Sequence, residues 1–576
     1  MKRIVLGINI NHADSSACII ADNKLLSAVE EERFNRIKHW AGFPKSSIEY
    51  CLSENGIKFS DVTDITINTN PLSNILPKIS FFVKNYIQGK KKIEIWKRYQ
   101  KKINIKKFII KNFGHSNFKL HFIDHHLSHI SSSLYPSGFK KCLAISIDGF
   151  GDFASMVVAD CKNHKIKILA KVLFPNSIGV FYESMTQLAG FKKYGEEYKL
   201  MGLSAFGEPV YYNFLKKNFF KHNNFLELNL DLFNFHKKNF IYNFEGEPNQ
   251  NQLFNEKVFE LCKKENINHE EKNTFSRNIA CSTQKIFEEN LISIAKKYKG
   301  EHDNLVLSGG CALNSLANGK LDEKKIFKNI FVPYSPGDNG GSIGSALYFL
   351  YKNNFTSNVK NITSPYLGKR YSNQQVIDIL NKKYKSQITY NEIDNYDDLN
   401  ALVCSYLIDE KIIGWFQGKM EFGPRALGNR SIISSPIGPN IKNLINSKIK
   451  LRETFRPFAP SILEEKVSEW FYETPRSDYM SFVASIKEDK RKIIPAVTHV
   501  DGTGRLQTIS KLQNEKFYNL IKKFETLTNV PILLNTSFNE NEPIVMKPEE
   551  AIECFLRTKM DFLVINNIFV SKNNHI

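Results

Sequence analysis

Short β-branched runs that stop on a glycine or an acid constrain this chain more than any other feature. IVLGINI (4–10), CLAISID (142–148) and NLVLSGG (304–310) are apolar, short and bounded by turn residues, so each reads as a buried strand. Further strand signals follow at Ile19 to Ile20, Leu25 to Glu32 and Met156 to Ala159. Between them the 3.6-residue period predicts helices over Phe181 to Gly190 and Thr274 to Lys297, the second entered at Thr274 as N-cap. Strands that feed glycine-rich or acidic turns, with helices between, predict an α/β architecture.

The pattern breaks at KNNFTSNVKNITSP (352–365), where Pro365 blocks helix continuation. Two domains follow, 1–355 and 366–576. The second carries helices over Ser372 to Tyr384 and Asp397 to Glu410, strands at IIGWFQG and PILLNTSFN, and a late helix at EEAIECFLRT. Residues 208–275, rich in Asn, Phe and Lys, read as a helical insertion, and no internal repeat is visible.

With 42% hydrophobic and 24% charged residues among 576, the chain is neither fibrous nor wholly disordered. No uncharged apolar run reaches the roughly 18 residues a membrane helix needs, so no membrane partner is expected. Nine cysteines without a single CxxC pair argue against a disulfide framework or zinc ribbon and place the chain in a reducing cytoplasm, where a homodimer is the default. The balance of 79 Lys and Arg against 59 Asp and Glu, net +20, would attract nucleic acid or phosphorylated compounds. The most basic stretch, 84–111, interleaves its lysines with apolar residues and reads as the solvated face of a helix over Phe81 to Asn112.

Three constellations carry chemistry. In Asp124-His125-His126-Leu127-Ser128-His129, His125 and His129 are four apart and share a helix face, a spacing that can grip one ion. Asp148, opening DGFGD, and Asp338, in PGDNGG, are natural further ligands, and a His₂-carboxylate set suits iron(II), manganese or zinc. Second, glycine turns at Gly7, at Ser308-Gly309-Gly310 through Asn314 and at Gly340-Gly341-Ser342 could present amides to phosphate, although no Walker loop or GxGxxG occurs. Nucleotide binding would then need several short loops from two lobes. Third, Arg425, Lys448, Lys450, Arg452, Arg456 and Arg505, with Asn535 and Ser537, converge in the second domain, a donor set for a small phosphorylated compound and a triphosphate.

Taken together, GININHADSSA, EEERFNRIKH, DHHLSHISSSLYPSGF, EEYKLMGLSAFG, NLVLSGGCALN, PGDNGGSIGSA, KMEFGPRALGNRSI, KLRETFRPFAP and NTSFNENEPIV resemble the O-carbamoyltransferases of nodulation and antibiotic tailoring, in family order over nearly the whole chain. The resemblance implies an actin-like ATPase (ASKHA) N-terminal domain followed by a YrdC-like α/β C-terminal domain. It implies that Mg-ATP and carbamoyl phosphate give carbamoyl-adenylate in the second domain, and that the first transfers the carbamoyl group to a hydroxyl of a small metabolite. Iron is implied at His125, His129, Asp148 and Asp338. His12 is the candidate base, with Asp14 beside it and Lys38 a candidate contact to the adenylate; an inserted Ala13 leaves open which of His12 and Asp14 is nearer the acceptor. Gly309, Gly310, Asn314, Arg425 and Asn535 are expected on the nucleotide, and Lys450, Arg456, Arg505 and Ser537 on carbamoyl phosphate. Two other readings are a tRNA-modifying threonylcarbamoyl-type enzyme and a non-catalytic basic nucleic-acid-binding protein. A nucleic-acid partner is disfavoured because no dedicated RNA-binding motif is present.

Overall fold

The computed structural model describes residues 3–84, 104–237, 242–243 and 246–573. The chain divides into two compact units. The first comprises Met1–Glu32, Lys38–Ala317 and Lys324–Thr363; the second takes Ser364–Ile576 together with Arg33–Ile37 and Asn318–Glu323. The string EEERFNRIKH is therefore split, and its arginines belong to the second unit. There Arg33 Nη2 donates to Gly423 O at 2.9 Å and Arg36 Nη1 to Ile544 O at 2.9 Å.

The first unit holds two five-stranded sheets of identical plan. In one, Ile4–Asn9 pairs antiparallel with Ser16–Ala21, which pairs antiparallel with Lys24–Glu30. On its other side Ile4–Asn9 pairs parallel with Asp64–Ile67, which pairs parallel with Lys119–Phe122. In the other, Lys141–Gly151 has the antiparallel neighbours Ala154–Lys162 and then Lys165–Leu173 on one side, and the parallel neighbours Asn304–Ser308 and then Asn329–Phe331 on the other. This duplicated plan is the actin-like fold. A repeat is present in topology although none is legible in the residues, because a sheet's strand order is set by burial pattern and turns rather than by residue identity.

Both first strands are buried on two faces, which is why they read as continuous apolar runs. Lys165–Leu173, unpredicted, is an exposed edge strand whose lysines mask its alternation. The helix His125–Ser137 starts at Asp124, whose carboxylate accepts from Leu127 N at 3.2 Å, and ends at Gly138 with φ +70°. Its neighbour is the helix Gly341–Lys352. A Cβ on Gly344 would fall 1.9 Å from Ser128 O, so only glycine lets these two helices approach so closely.

Several expectations need correction. The run Leu25 to Glu32 ends as a strand at Glu30, and Glu32–Asn35 is a helical turn. The long helix spans Lys272–Tyr298, and Thr274 caps nothing: its hydroxyl donates to Glu271 Oε1 at 2.6 Å. The insertion is only partly helical, with Tyr212–Phe219 and Lys257–Lys264 joined by irregular chain that buries Phe219, Phe220, Phe233 and Phe254. Of the basic helix over 81–112, the described parts are the ends of Ile75–Lys84 and Ile105–Phe113; residues 85–103 lie outside the described residues. Among the described residues no helix is long and apolar enough to cross a membrane.

The second unit is a mixed α/β layer around one nine-stranded sheet. Its spatial order is Ile388–Glu392, Ile568–Lys572, Phe562–Ile565, Ile413–Phe416, Arg430–Ser434, Ile532–Ser537, Ala459–Leu463, Thr503–Ile509, Phe482–Ser485. Ser372 caps the helix Asn373–Ile379, and Pro548–Arg557 forms the late helix. Central strands contribute Trp415, Phe416, Ile532 and Leu533 to a continuous core.

Candidate functional site

In the first unit the helix His125–Ser137 aims two imidazoles at two carboxylates from separate turns. His125 Nε2 and His129 Nε2 stand 3.0 Å apart. Asp148 Oδ2 lies 3.1 Å from the first and 3.0 Å from the second. Asp338 Oδ1 lies at 3.4 and 3.3 Å. Both imidazoles are buried. The loops behind them are held firmly. Asp152, the second acid of DGFGD, accepts from His125 N at 2.9 Å, Asn70 N at 2.7 Å and Thr69 Oγ1 at 2.7 Å. A Cβ on Gly151 would lie 1.9 Å from the His125 ring, so the loop can pass behind the imidazole only as glycine. His126 turns away and bonds Ser146 Oγ at 2.8 Å.

These four side chains fit a divalent cation. Metal–ligand bonds of about 2.1 Å put neighbouring donors about 3.0 Å apart at right angles and about 3.4 Å apart at tetrahedral angles. The observed separations span that range. Two Nε2 atoms facing each other need a cation or a proton between them, and the Nδ1 atoms of His125 and His129 have no hydrogen-bond partner among the described residues. Electrostatics agree. Burial would raise Asp148, but the two imidazoles overcome it and hold that carboxyl well below the usual carboxylate range. Burial and the charge of Asp148 push Asp338 up. Burial would lower His129, yet the two carboxylates hold it up at about 9. The two carboxylates thus favour positive charge on the facing imidazole nitrogens, which a divalent cation would supply in place of protons.

His12 joins this cluster, its ring centroid 4.7 Å from that of His125. Asp14 points elsewhere, to His39: Oδ1 and Nδ1 are 2.9 Å apart. Glu32 Oε2 accepts from His39 N at 2.8 Å, and Asp14, Glu32 and His39 make a second compact group. Burial would lower His39; the charge and hydrogen bond of Asp14, then Glu32, hold it up at about 9. Lys38 is half-buried beside them. Asn9 Nδ2 pins the loop of His12 through Ala13 O at 3.0 Å and Asp14 O at 2.9 Å. Glu183, on the helix Ile178–Leu188, is pushed up to about 8 by burial and by Glu197.

Of the glycine loop, Gly309 has φ +84° and Gly310 sits against Asp148, a Cβ there falling 3.0 Å from Asp148 Oδ1. Asn314 is engaged by protein: its amide exchanges two hydrogen bonds with Gln284, at 2.9 and 3.1 Å, and its Oδ1 accepts from Ala317 N at 3.0 Å.

In the second unit Arg505 stands among Arg425, Arg452 and Arg456. Burial, then these three charges, press its guanidinium well below its usual range. Arginine does not deprotonate in proteins, so the pressure registers as repulsion that an anion would relieve. Arg505 Nε is buried with no hydrogen-bond partner among the described residues. Arg452, named in the basic donor set but given no ligand of its own, donates through Nε to Asn446 Oδ1 at 2.7 Å. Asn446 also donates to Arg456 O at 3.1 Å and so sets the KLRETFR turn. Lys450 is buried and spends its donors on the protein: Nζ reaches Ser537 O at 2.5 Å, Asn539 O at 2.7 Å and Asn539 Oδ1 at 2.8 Å. Ser537 Oγ donates to Asn539 Oδ1 at 2.7 Å, and Asn535 Nδ2 to Gln507 Oε1 at 2.8 Å. Arg430 is wholly internal, its guanidinium 3.6 Å from the Phe416 ring centroid.

Comparison with known proteins gives a consistent result. The family model "Carbamoyltransferase N-terminus" matches residues 4–347 and "Carbamoyltransferase C-terminus" residues 404–572. The nodulation protein NolNO of Sinorhizobium fredii is 33% identical, covering 97% of this chain and 79% of that protein. An uncharacterized protein of Synechocystis sp. is 34% identical over 99% of this chain and 96% of its own length. Among solved structures, component A of (R)-2-hydroxyglutaryl-CoA dehydratase from Acidaminococcus fermentans is 16% identical with a TM-score of 0.33, covering 62% of this chain and 100% of that one.

Proposed function

The chain belongs to the carbamoyltransferase family, and from that premise we propose that it is an ATP-dependent O-carbamoyltransferase acting on a small hydroxylated metabolite. Carbamoyl phosphate is first hydrolysed, water supplying the oxygen, to carbamate and phosphate. A carbamate oxygen then attacks the α-phosphorus of ATP and expels pyrophosphate, forming carbamoyl-adenylate. The observation that carries this reading is the group of three guanidiniums around that of Arg505. Arginines clustered about a buried guanidinium suit phosphoryl oxygens, which they can bind in two-pronged fashion. Arg425, Arg452, Arg456 and Arg505 would hold the phosphates, while Lys450 fixes the Ser537–Asn539 turn that offers the Ser537 hydroxyl.

The second step moves the carbamoyl group to the acceptor. His125, His129, Asp148 and Asp338 would hold a divalent ion, iron(II) by family resemblance, which supplies a Lewis acid for a carbonyl oxygen. His12, packed on His125, is placed to take the acceptor's proton, and Asn9 keeps its loop in position. Pyrophosphate release from ATP, with and without carbamoyl phosphate, tests the first step before any acceptor is known. Release that requires carbamoyl phosphate supports the reading; carbamoyl-phosphate-independent release, or none from folded, metal-loaded protein, removes the activation step.

A further inference from the structure

Beside the metal ligands lies a wall of phenylalanines that the carbamoyl chemistry does not use. Phe150 sits in DGFGD, between Asp148 and Asp152. Its ring centroid is 4.9 Å from Phe174 and 5.8 Å from Phe235. Phe153 lies 5.1 Å from Phe174, and Phe81 lies 5.0 Å from Phe174 and 5.8 Å from Phe153. All five rings are half-buried rather than internal. They come from four separate places in the chain: the helix Ile75–Lys84, the DGFGD turn, the segment after the edge strand, and the insertion.

The chain ties these places to the catalytic turn. Asn74 Nδ2 donates to Asp152 O at 2.9 Å, Ser177 Oγ to Gly149 O at 2.8 Å, and Leu228 N, from the insertion, to Asn176 Oδ1 at 2.9 Å. Half-buried rings gathered from separate segments, beside a turn that carries a carboxylate of the quartet, can line a ligand site. The charged companions of the rings are of both signs: Lys78, Lys171 and Lys237 on the same segments, with Asp124 near Lys171, Asp148 and Asp152 flanking Phe150, and Asp231 facing His236.

We propose that Phe81, Phe150, Phe153, Phe174 and Phe235 form the acceptor platform, and that the acceptor is a neutral molecule with an apolar body whose hydroxyl reaches the His125–Asp148 quartet. The inference rests on the O-carbamoyltransferase reading and narrows its substrate class. Flat aromatic faces bury an apolar skeleton or the C–H face of a sugar. Recruitment of Phe235 makes the insertion part of the acceptor site.

The test uses the full chain and three probes below any micelle concentration: octyl β-glucoside, methyl β-glucoside and the polycation kanamycin, with binding read by calorimetry. Octyl glucoside should bind at least tenfold tighter than either of the others. Phe150→Leu and Phe235→Leu, which keep apolar volume but lose the ring, should weaken it at least fivefold, with melting curves establishing that both fold. Phe113→Leu, in a separate aromatic cluster with Phe43 and Phe59, should leave binding unchanged. Equal binding of the two glucosides, tighter binding of kanamycin, or wild-type affinity in both ring variants would overturn the proposal. The pyrophosphate assay on the wild-type chain decides the underlying reading separately, since it involves no acceptor.

Discussion

His125 and His129 stand one helical turn apart with their Nε2 atoms 3.0 Å from each other, and Asp148 Oδ2 is within 3.1 Å of both. That convergence sets the first expectation. His129→Ala should cut bound divalent metal from near one per chain to under a tenth, because it removes one of four donors. Metal analysis of purified protein checks it; unchanged metal content would show that the quartet is not the ion's site.

Gly151→Ala should disturb the same centre without touching a ligand. The new methyl would lie 1.9 Å from the His125 ring, far inside contact distance, so ring or loop must move. Overpacking of this kind costs about 1–3 kcal/mol. Denaturant unfolding should show that loss together with weaker metal binding, whereas Gly149→Ala, with open space around its Cβ, should show neither.

How far this centre could be read beforehand depends on what kind of information each residue carries. The i, i+4 histidines were legible because helix periodicity alone puts them on one face. Glycines that serve packing carried no such signal. Gly344 and Gly151 serve close packing, a role that exists only once a second element is in place. Lys450 illustrates the same limit: its charge suggested an anion ligand, but four protein oxygens surround its Nζ. His39 was hidden for another reason. Its partner Asp14 is 25 positions away, and both residues adopt left-handed backbone, with φ of +55°, that no spacing rule reports. The duplicated sheets were invisible because topology leaves no residue-by-residue repeat.

His39 provides a pH test. Its folded-state pKa is raised from 6.5 to about 9, so the Asp14 pairing stabilises fully below the unfolded value and is lost as pH rises through about 9. Melting temperature should therefore fall between pH 7 and 10 in the wild type, and Asp14→Asn should flatten that part of the profile. An identical slope in both proteins would remove the pair from the stability account.

Lys450→Met keeps the volume of a buried side chain and removes its donors. Ser537 O, Asn539 O and Asn539 Oδ1 would be left without that partner, each at about 1–3 kcal/mol less whatever water recovers. The variant should unfold at clearly lower denaturant, and saturating carbamoyl phosphate should not restore it. Stability equal to wild type would instead leave Lys450 free to serve the ligand directly.

The last expectation separates the two half-reactions. Arg456→Ala removes one of the guanidiniums that press on Arg505, so the site should repel itself less and hold anions less tightly. Loss of one arginine from a phosphate clamp typically costs about 2–4 kcal/mol, or roughly 30- to 1,000-fold in rate. Carbamoyl-phosphate-dependent pyrophosphate release should fall by that factor, and carbamoyl transfer with it, because no activated donor is made. His129→Ala should do the reverse: pyrophosphate release within about twofold of wild type and transfer abolished, since its partners all lie in the first unit. Arg456→Lys adds a check, for a point charge should recover binding but not the two-pronged contact, leaving KM partly restored and kcat low. Equal loss of pyrophosphate release in the arginine and histidine variants would mean that both clusters serve one step, and the assignment of activation to one unit and transfer to the other would fall.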